Sequence, residues 1–192
     1  MSISNWVGKH VLIIGAARQG LALGRYLAEH GAKVTLTDNR PEIQMQEAMT
    51  SLAGLEVSWA FGGHPLELLE GTDLVCLSGG IPLTLPIVLE TVRRGILLSN
   101  DTEIFMAAVP CKTIGITGSA GKTTTTTLVG RMAEHFIQAP YKSYVGGNIG
   151  LPLINFVDKM TADDLVILEI SSFQLEQMTH SPNIAAVLNI TP

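Results

Sequence analysis

Basic residues are scarce in this chain: 12 lysines and arginines stand against 17 aspartates and glutamates, for a net charge of −5. A protein that tracks a nucleic-acid backbone needs a basic face, so no nucleic-acid partner is expected. Long apolar runs are also missing, and none approaches the roughly 18 residues that a bilayer-spanning helix needs. Met1-Ser2-Ile3-Ser4 has neither the basic n-region nor the apolar h-region of a secretory leader. No membrane span is therefore expected, and the expected compartment is the cytoplasm. There are only two cysteines, Cys76 inside an apolar run and Cys111 just ahead of another, without CxxC spacing. They read as reduced core thiols rather than a disulfide or a metal pair. His10, His30, His64, His135 and His180 form no metal-spaced cluster and read as surface or capping residues. What is present is globular in composition, with 46% hydrophobic and 15% charged residues over 192 positions. At roughly 150 residues per domain, that length suits one large domain or two small ones.

Apolar runs alternate with helix-length segments. Residues 10–15, 33–38, 55–60, 73–78 and 96–99 read as strands, with helices after the first two and near 86–94. A second series starts near Lys112, with strands at 113–117, 143–145, 165–170 and 185–190 and a long helix from 122 to about 137. This is the rhythm of βαβ units in a parallel sheet. Each series opens with a glycine-bearing turn between strand and helix, so two α/β nucleotide-binding domains are expected. A Rossmann-like domain would span 1–109 and a P-loop ATPase-type domain 110–192, divided where Pro110 interrupts a helical segment. Four strands and one long helix are thin for a doubly wound sheet. The expectation is a piece of a longer protein, whose second sheet keeps an uncovered apolar edge.

Ile114-Gly115-Ile116-Thr117-Gly118-Ser119-Ala120-Gly121-Lys122-Thr123-Thr124 is the most informative stretch. Glycines let backbone N–H groups turn toward a polyphosphate, and the following helix adds its positive end. Lys122 supplies a point charge and the Thr123 hydroxyl suits Mg²⁺. The candidate ATP site is therefore Gly118, Ser119, Gly121, Lys122, Thr123 and Thr124, with Lys122 the catalytic candidate. Strict Walker spacing fails, because Ile116 stands where a glycine would, and an ordinary strand-to-helix turn is the alternative. Glu169 closes the apolar run Leu165-Val166-Ile167-Leu168. An unpaired buried Glu is expensive, so it calls for a cation, as a Mg²⁺ ligand with Thr123, or for donors in a structural role. Ser171-Ser172-Phe173-Gln174 follows, with groups that either orient a substrate or cap the next helix. Gly146-Gly147-Asn148-Ile149-Gly150 is a weak pattern whose only polar side chain is Asn148.

In the first series, Gly15-Ala16-Ala17-Arg18-Gln19-Gly20 follows a strand and opens a helix, and Asp38 ends the next strand where a Rossmann unit keeps its ribose-binding acid. Ala17 replaces the middle glycine, which weakens a nicotinamide or flavin reading. Arg40 suits a phosphate or a uracil-type ring, unless it is only a solvated charge. Leu77-Ser78-Gly79-Gly80-Ile81-Pro82 lies at a strand's carboxyl end, as either a ligand contact or a plain turn.

Taken together, TGSAGKTTT, GGNIG, LEISSFQLE and DTEIF resemble the Mur ligase family over essentially the whole chain, the last two pointing to its D-glutamate-adding branch. The resemblance implies a cytoplasmic, ATP- and Mg²⁺-dependent amide-forming ligase of peptidoglycan synthesis. ATP would phosphorylate the carboxylate of UDP-N-acetylmuramoyl-L-alanine, and the amine of D-glutamate would attack the acyl phosphate. Such chemistry asks a protein mainly for positioning and charge neutralisation. Carried over residue by residue, Lys122 would hold the terminal phosphates, Thr123 and Glu169 the Mg²⁺, and Asn148, Ser171 and Gln174 the muramoyl substrate. The uridine end would lie on Arg18, Gln19, Asp38, Asn39, Arg40 and Gly80. The chain departs from the family at Ala120, usually Asn, at Ala17, usually Gly, and at Ser78-Gly79-Gly80, usually Ser-Pro-Gly. The family's acidic-His motif, carbamylated lysine and glutamate-binding domain would lie past position 192, so the isolated chain is expected to be inactive. A stand-alone, non-catalytic nucleotide-binding module is the alternative.

Overall fold

The computed structural model describes residues 5–191; the Met1-Ser2-Ile3-Ser4 segment read for a leader, and Pro192, lie outside the described residues. Two compact units divide the chain, one ending at Asp101 and the next beginning at Thr102.

In the first unit, β1 (His10–Ile14), β2 (Lys33–Asp38), β3 (Val57–Phe61), β4 (Leu74–Leu77) and β5 (Leu97–Asn100) make a parallel sheet in the order β3-β2-β1-β4-β5. β1 and β4 are almost continuous buried apolar runs, as parallel strands covered on both faces must be. Leu12, Ile14, Val75 and Leu77 pack with Ile87 and Val88 of α3 (Pro86–Arg93), while α1 (Arg18–Glu29) buries Leu23 and Leu27 at i, i+4 spacing. α1 leaves β1 so closely that a Cβ on Gly20 would stand 2.0 Å from the Gly15 carbonyl oxygen, so only glycine fits there. After β2 the expected helix shrinks to a 3₁₀ turn and the short α2 (Gln46–Ser51). Strand order reverses between β1 and β4, which puts a crevice at their carboxyl ends.

The second unit comprises most of α4 (Asp101–Ala108), followed by β6 (Lys112–Thr117), α5 (Lys122–Phe136), β7 (Ser143–Gly147), β8 (Leu165–Glu169), α6 (Ser172–Leu175) and β9 (Ile184–Val187). Its strands are again all parallel, in the order β7-β8-β6-β9, around a core of Ile116, Ala133 and Ile167. β9 is an edge strand whose Ile184 and Val187 are 61% and 60% exposed.

Most strand ends shift by one or two residues from the sequence reading, and two boundaries move further. The division falls at Asp101/Thr102 rather than at Val109-Pro110, because α4 directs its side chains into the second unit. Thr102 Oγ1 accepts from Gln174 Nε2 at 2.6 Å, and the Glu103 carboxylate accepts from Thr179 N at 3.0 Å and His180 N at 3.2 Å. Pro110 stops the helix but does not choose its core. β9, expected to run to Ile190, ends at Val187, because after one further bond from Leu188 N to the Thr117 carbonyl the chain turns onto the loop after β6.

Candidate functional site

β6 delivers the chain to a tight loop, and α5 starts directly after Gly121, which is left-handed at φ 83° and offers no side-chain cap. The first-turn N–H groups of a helix have no intrahelical acceptors, so Lys122, Thr123 and Thr124 present a positive end. Lys122 Nζ folds back over the loop and donates to the Gly118 carbonyl at 2.6 Å and the Ser119 carbonyl at 3.5 Å. β8 pairs with β7 so that Glu169 lies beside Gly147, which brings Asn148 to the same carboxylate. Thr123 Oγ1 donates to Glu169 Oε2 at 2.7 Å, and Asn148 Nδ2 donates to Glu169 Oε1 at 2.9 Å. The Asn148 amide nitrogen also donates to the Glu169 carbonyl at 2.9 Å. Glu169 is 2% exposed, and among the described residues no cation pairs with it. An ionised carboxylate has lone pairs to spare beyond two neutral donors, and a divalent cation is the partner that such a site fits.

Ser171 and Gln174 form a capping box at the start of α6: Ser171 Oγ accepts from Gln174 N at 3.3 Å, and Gln174 Oε1 accepts from Ser171 N at 2.9 Å. With Nε2 bonded to Thr102 and the side chain 4% exposed, Gln174 stands behind Ser171 rather than on an open surface.

The first unit treats its strand-end acid differently. Asp38 Oδ1 accepts from Arg40 N at 3.0 Å and Arg40 Nε at 2.8 Å, and Oδ2 accepts from Arg40 Nη2 at 2.8 Å and Ala16 N at 2.9 Å. The Arg40 guanidinium holds the Asp38 carboxyl well below the usual carboxylate range, against the opposing effect of burial. With four donors on its two oxygens, Asp38 staples the end of β2 to the turn after β1 and presets Arg40. A Rossmann acid would instead need free lone pairs for a ribose hydroxyl. Arg40 and Arg18 share a cleft of about 540 Å³ with Ala16, Ala17, Gln44 and Glu47. Gln19, half-buried in the first turn of α1, and the exposed Asn39 and Gly80 do not line it.

Sequence reasoning missed three groups. His64, read as surface, is half-buried with Nδ1 2.9 Å from Thr37 Oγ1, and burial pushes its pKa down. His180 Nδ1 lies 2.8 Å from Glu103 Oε1 and ties α4 to the segment before β9. Asn189 bonds the phosphate-type loop from 69 positions away, its Oδ1 accepting from Ala120 N at 2.8 Å and its Nδ2 donating to Ala120 O at 2.9 Å. The only sequence signal was an amide side chain near the end of a run read as a strand over 185–190. Because these contacts are to backbone, alanine at position 120 loses none of them.

Residues 9–99 match the family model described as Mur ligase MurD-like, N-terminal domain, and residues 116–192 match the one described as Mur ligase middle domain. The UDP-N-acetylmuramoylalanine–D-glutamate ligase of Pelotomaculum thermopropionicum is 42% identical over 99% of this chain and 41% of its own length. Its counterpart in Geotalea uraniireducens is 40% identical over 96% of this chain and 40% of its own length. The chain thus spans about two fifths of the length of these curated relatives. Among solved structures, a UDP-N-acetylmuramate:L-alanyl-gamma-D-glutamyl-meso-diaminopimelate ligase from Neisseria meningitides aligns over 96% of this chain and 61% of its own, with a TM-score of 0.59 at 16% identity. A UDP-N-acetylmuramate-alanine ligase from Thermotoga maritima aligns over 95% of this chain and 41% of its own, with a TM-score of 0.52 at 19% identity. At these identities the two structures speak for the fold.

Proposed function

The chain belongs to the Mur ligase family, and on that premise we propose that its second unit holds Mg-ATP and its first the uridine end of UDP-N-acetylmuramoyl-L-alanine. The activity served is ATP-dependent addition of D-glutamate through an acyl phosphate in peptidoglycan synthesis. The observation that carries this reading is Glu169, a buried acid held, among the described residues, by the side chains of Thr123 and Asn148, the former next in sequence to the phosphate-loop Lys122.

In this reading Gly118, Ser119, Gly121 and Thr124 surround the phosphates, and Lys122 exchanges its bond to the Gly118 carbonyl for one to a terminal phosphate oxygen. Thr123 and Glu169 are the residues that would hold Mg²⁺. The metal, when bound, neutralises charge on the phosphoryl group, which is most of what phosphoryl transfer asks for. Asn148 and Ser171 meet the muramoyl substrate, with Gln174 holding Ser171 in place. In the first unit Arg40, preset by Asp38, and Arg18 meet the uridine diphosphate, with Gln19, Asn39 and Gly80 as further contacts. No residue of this chain is assigned to D-glutamate. Such a ligase works in the cytoplasm, beside the ATP it consumes.

Calorimetric titration of this chain provides the test. Mg-ATP should bind, EDTA should weaken that binding, and UDP should bind more tightly than NAD. Tighter binding of NAD than of UDP, or ATP binding indifferent to EDTA, would overturn the proposal.

A further inference from the structure

The contacts that shape the loop after β6 come from the segment following β9. Leu188 N donates to the Thr117 carbonyl at 3.0 Å, which carries the ladder one residue past the strand. Asn189 then crosses the loop. Its carbonyl accepts from Ser119 N at 3.0 Å, its Oδ1 from Ala120 N at 2.8 Å, and its Nδ2 donates to the Ala120 carbonyl at 2.9 Å. Thr191 N adds a bond to Ser119 Oγ at 3.0 Å. One carboxamide thus satisfies both the N–H and the C=O of Ala120, the pairing that a neighbouring strand would otherwise provide. The loop is also pressed against this segment: Gly118 has φ 139°, and a Cβ there would stand 3.1 Å from both the nitrogen and the carbonyl oxygen of Asn189.

A cradle of backbone amides binds anions well only if its N–H groups converge beforehand, since ordering a loop on binding subtracts from affinity. The Ser119 and Ala120 amides are already engaged by Asn189, and the amides of residues 121–124 follow directly at the start of α5. We infer that Asn189 is a positioning residue for the nucleotide, whose carboxamide clamps the loop at Ala120 and presets the amides of Gly121, Lys122, Thr123 and Thr124. Only a carboxamide makes both bonds, since aspartate would accept from Ala120 N–H but oppose a charge to its carbonyl, and alanine would do neither. This inference rests on the reading of the loop as an ATP site, and the experiment separates the two.

Amide hydrogen exchange on the unliganded chain comes first, with Ser119 and Ala120 expected to be protected. In Asn189→Ala, Ala120 should lose protection, whereas Asn189→Asp should keep it, because the acceptor remains. Calorimetry of Asn189→Ala should then show Mg-ATP binding weakened by about 5-fold or more, the scale of one lost hydrogen bond, with exchange protection of the β6 and β8 amides kept at the parent's level as the check on folding of the second unit. A freely exchanging Ala120 amide in the parent, or Mg-ATP affinity in Asn189→Ala within twofold of the parent, would overturn the inference. If the parent binds no Mg-ATP, the ATP reading fails by itself and the exchange data still decide whether Asn189 holds the loop. If Asn189→Ala does not fold, the parent's exchange pattern and Asn189→Asp decide.

Discussion

Asp38 at the end of β2 and Glu169 at the end of β8 are both buried carboxylates beside a glycine-bearing turn, but among the described residues only Asp38 is paired with a cation of its own chain. Arg40, two residues on, wraps Asp38 through Nε, Nη2 and its amide nitrogen. Glu169 is followed by Ile170 and Ser171, and its donors are a hydroxyl and a carboxamide. A buried ionised acid has to be matched by charge or by many hydrogen bonds. The first unit meets that need internally and places the arginine on a cleft. The second gives its acid only a hydroxyl and a carboxamide, the arrangement on which the proposed Mg²⁺ site rests. The same βα architecture therefore presents opposite electrostatic faces, and the residues immediately after each acid decide which.

Four measurements put this contrast at risk. The largest effect is expected from Lys122→Ala, which removes the point charge of the second unit and should weaken Mg-ATP by about 100-fold, on the scale of a single preorganised electrostatic group. UDP affinity should not change, and calorimetry of both ligands reads the difference. The next concerns the two acids as a pair. Asp38→Asn should lower unfolding free energy by about 1–3 kcal/mol, the cost of stranding hydrogen-bonded partners. Glu169→Gln should cost under about 1 kcal/mol while abolishing the dependence of ATP affinity on Mg²⁺, because an amide keeps the neighbours but cannot hold the metal. Equal destabilisation in urea titrations would erase the distinction.

A smaller effect is expected from pH. The folded pKa of Asp38 is depressed, so its stabilising contribution is full above the unfolded value of about 3.9 and is lost as pH falls toward the folded value. Glu103 shifts the same way in the second unit, where burial pushes up but the donors from Thr179 and His180 together outweigh it. The urea midpoint should fall from about pH 5 downward, with a shallower slope in Asp38→Asn; an unchanged slope would show that Asp38 is not the group responsible. The smallest effect is a shared silence. Burial pushes both the Cys76 and Cys111 thiols up, one in each unit, so neither should react with a thiol reagent in the native protein. Fast labelling of either would mark its unit as locally open.

Strands, the two turns and the contacts among near neighbours were written in the order of the residues. Short apolar runs ending at a glycine or an acid and followed by turn residues read as buried parallel strands leading into turns, which is why β1, β4, β6 and β8 and the loop at Lys122 were legible. The pairing of Asp38 with Arg40 was half legible: two residues were singled out, but their commitment to each other was not. Which core received α4, where β9 ended, and which distant groups met were settled only by the packed fold. Ala120 with Asn189, Thr102 with Gln174, and Glu103 with His180 are separated by 69, 72 and 77 positions. No local periodicity encodes such pairs. They exist because parallel strands bring the ends of remote segments to one side of a sheet, where register, not spacing along the chain, sets which polar groups come within 3 Å of each other.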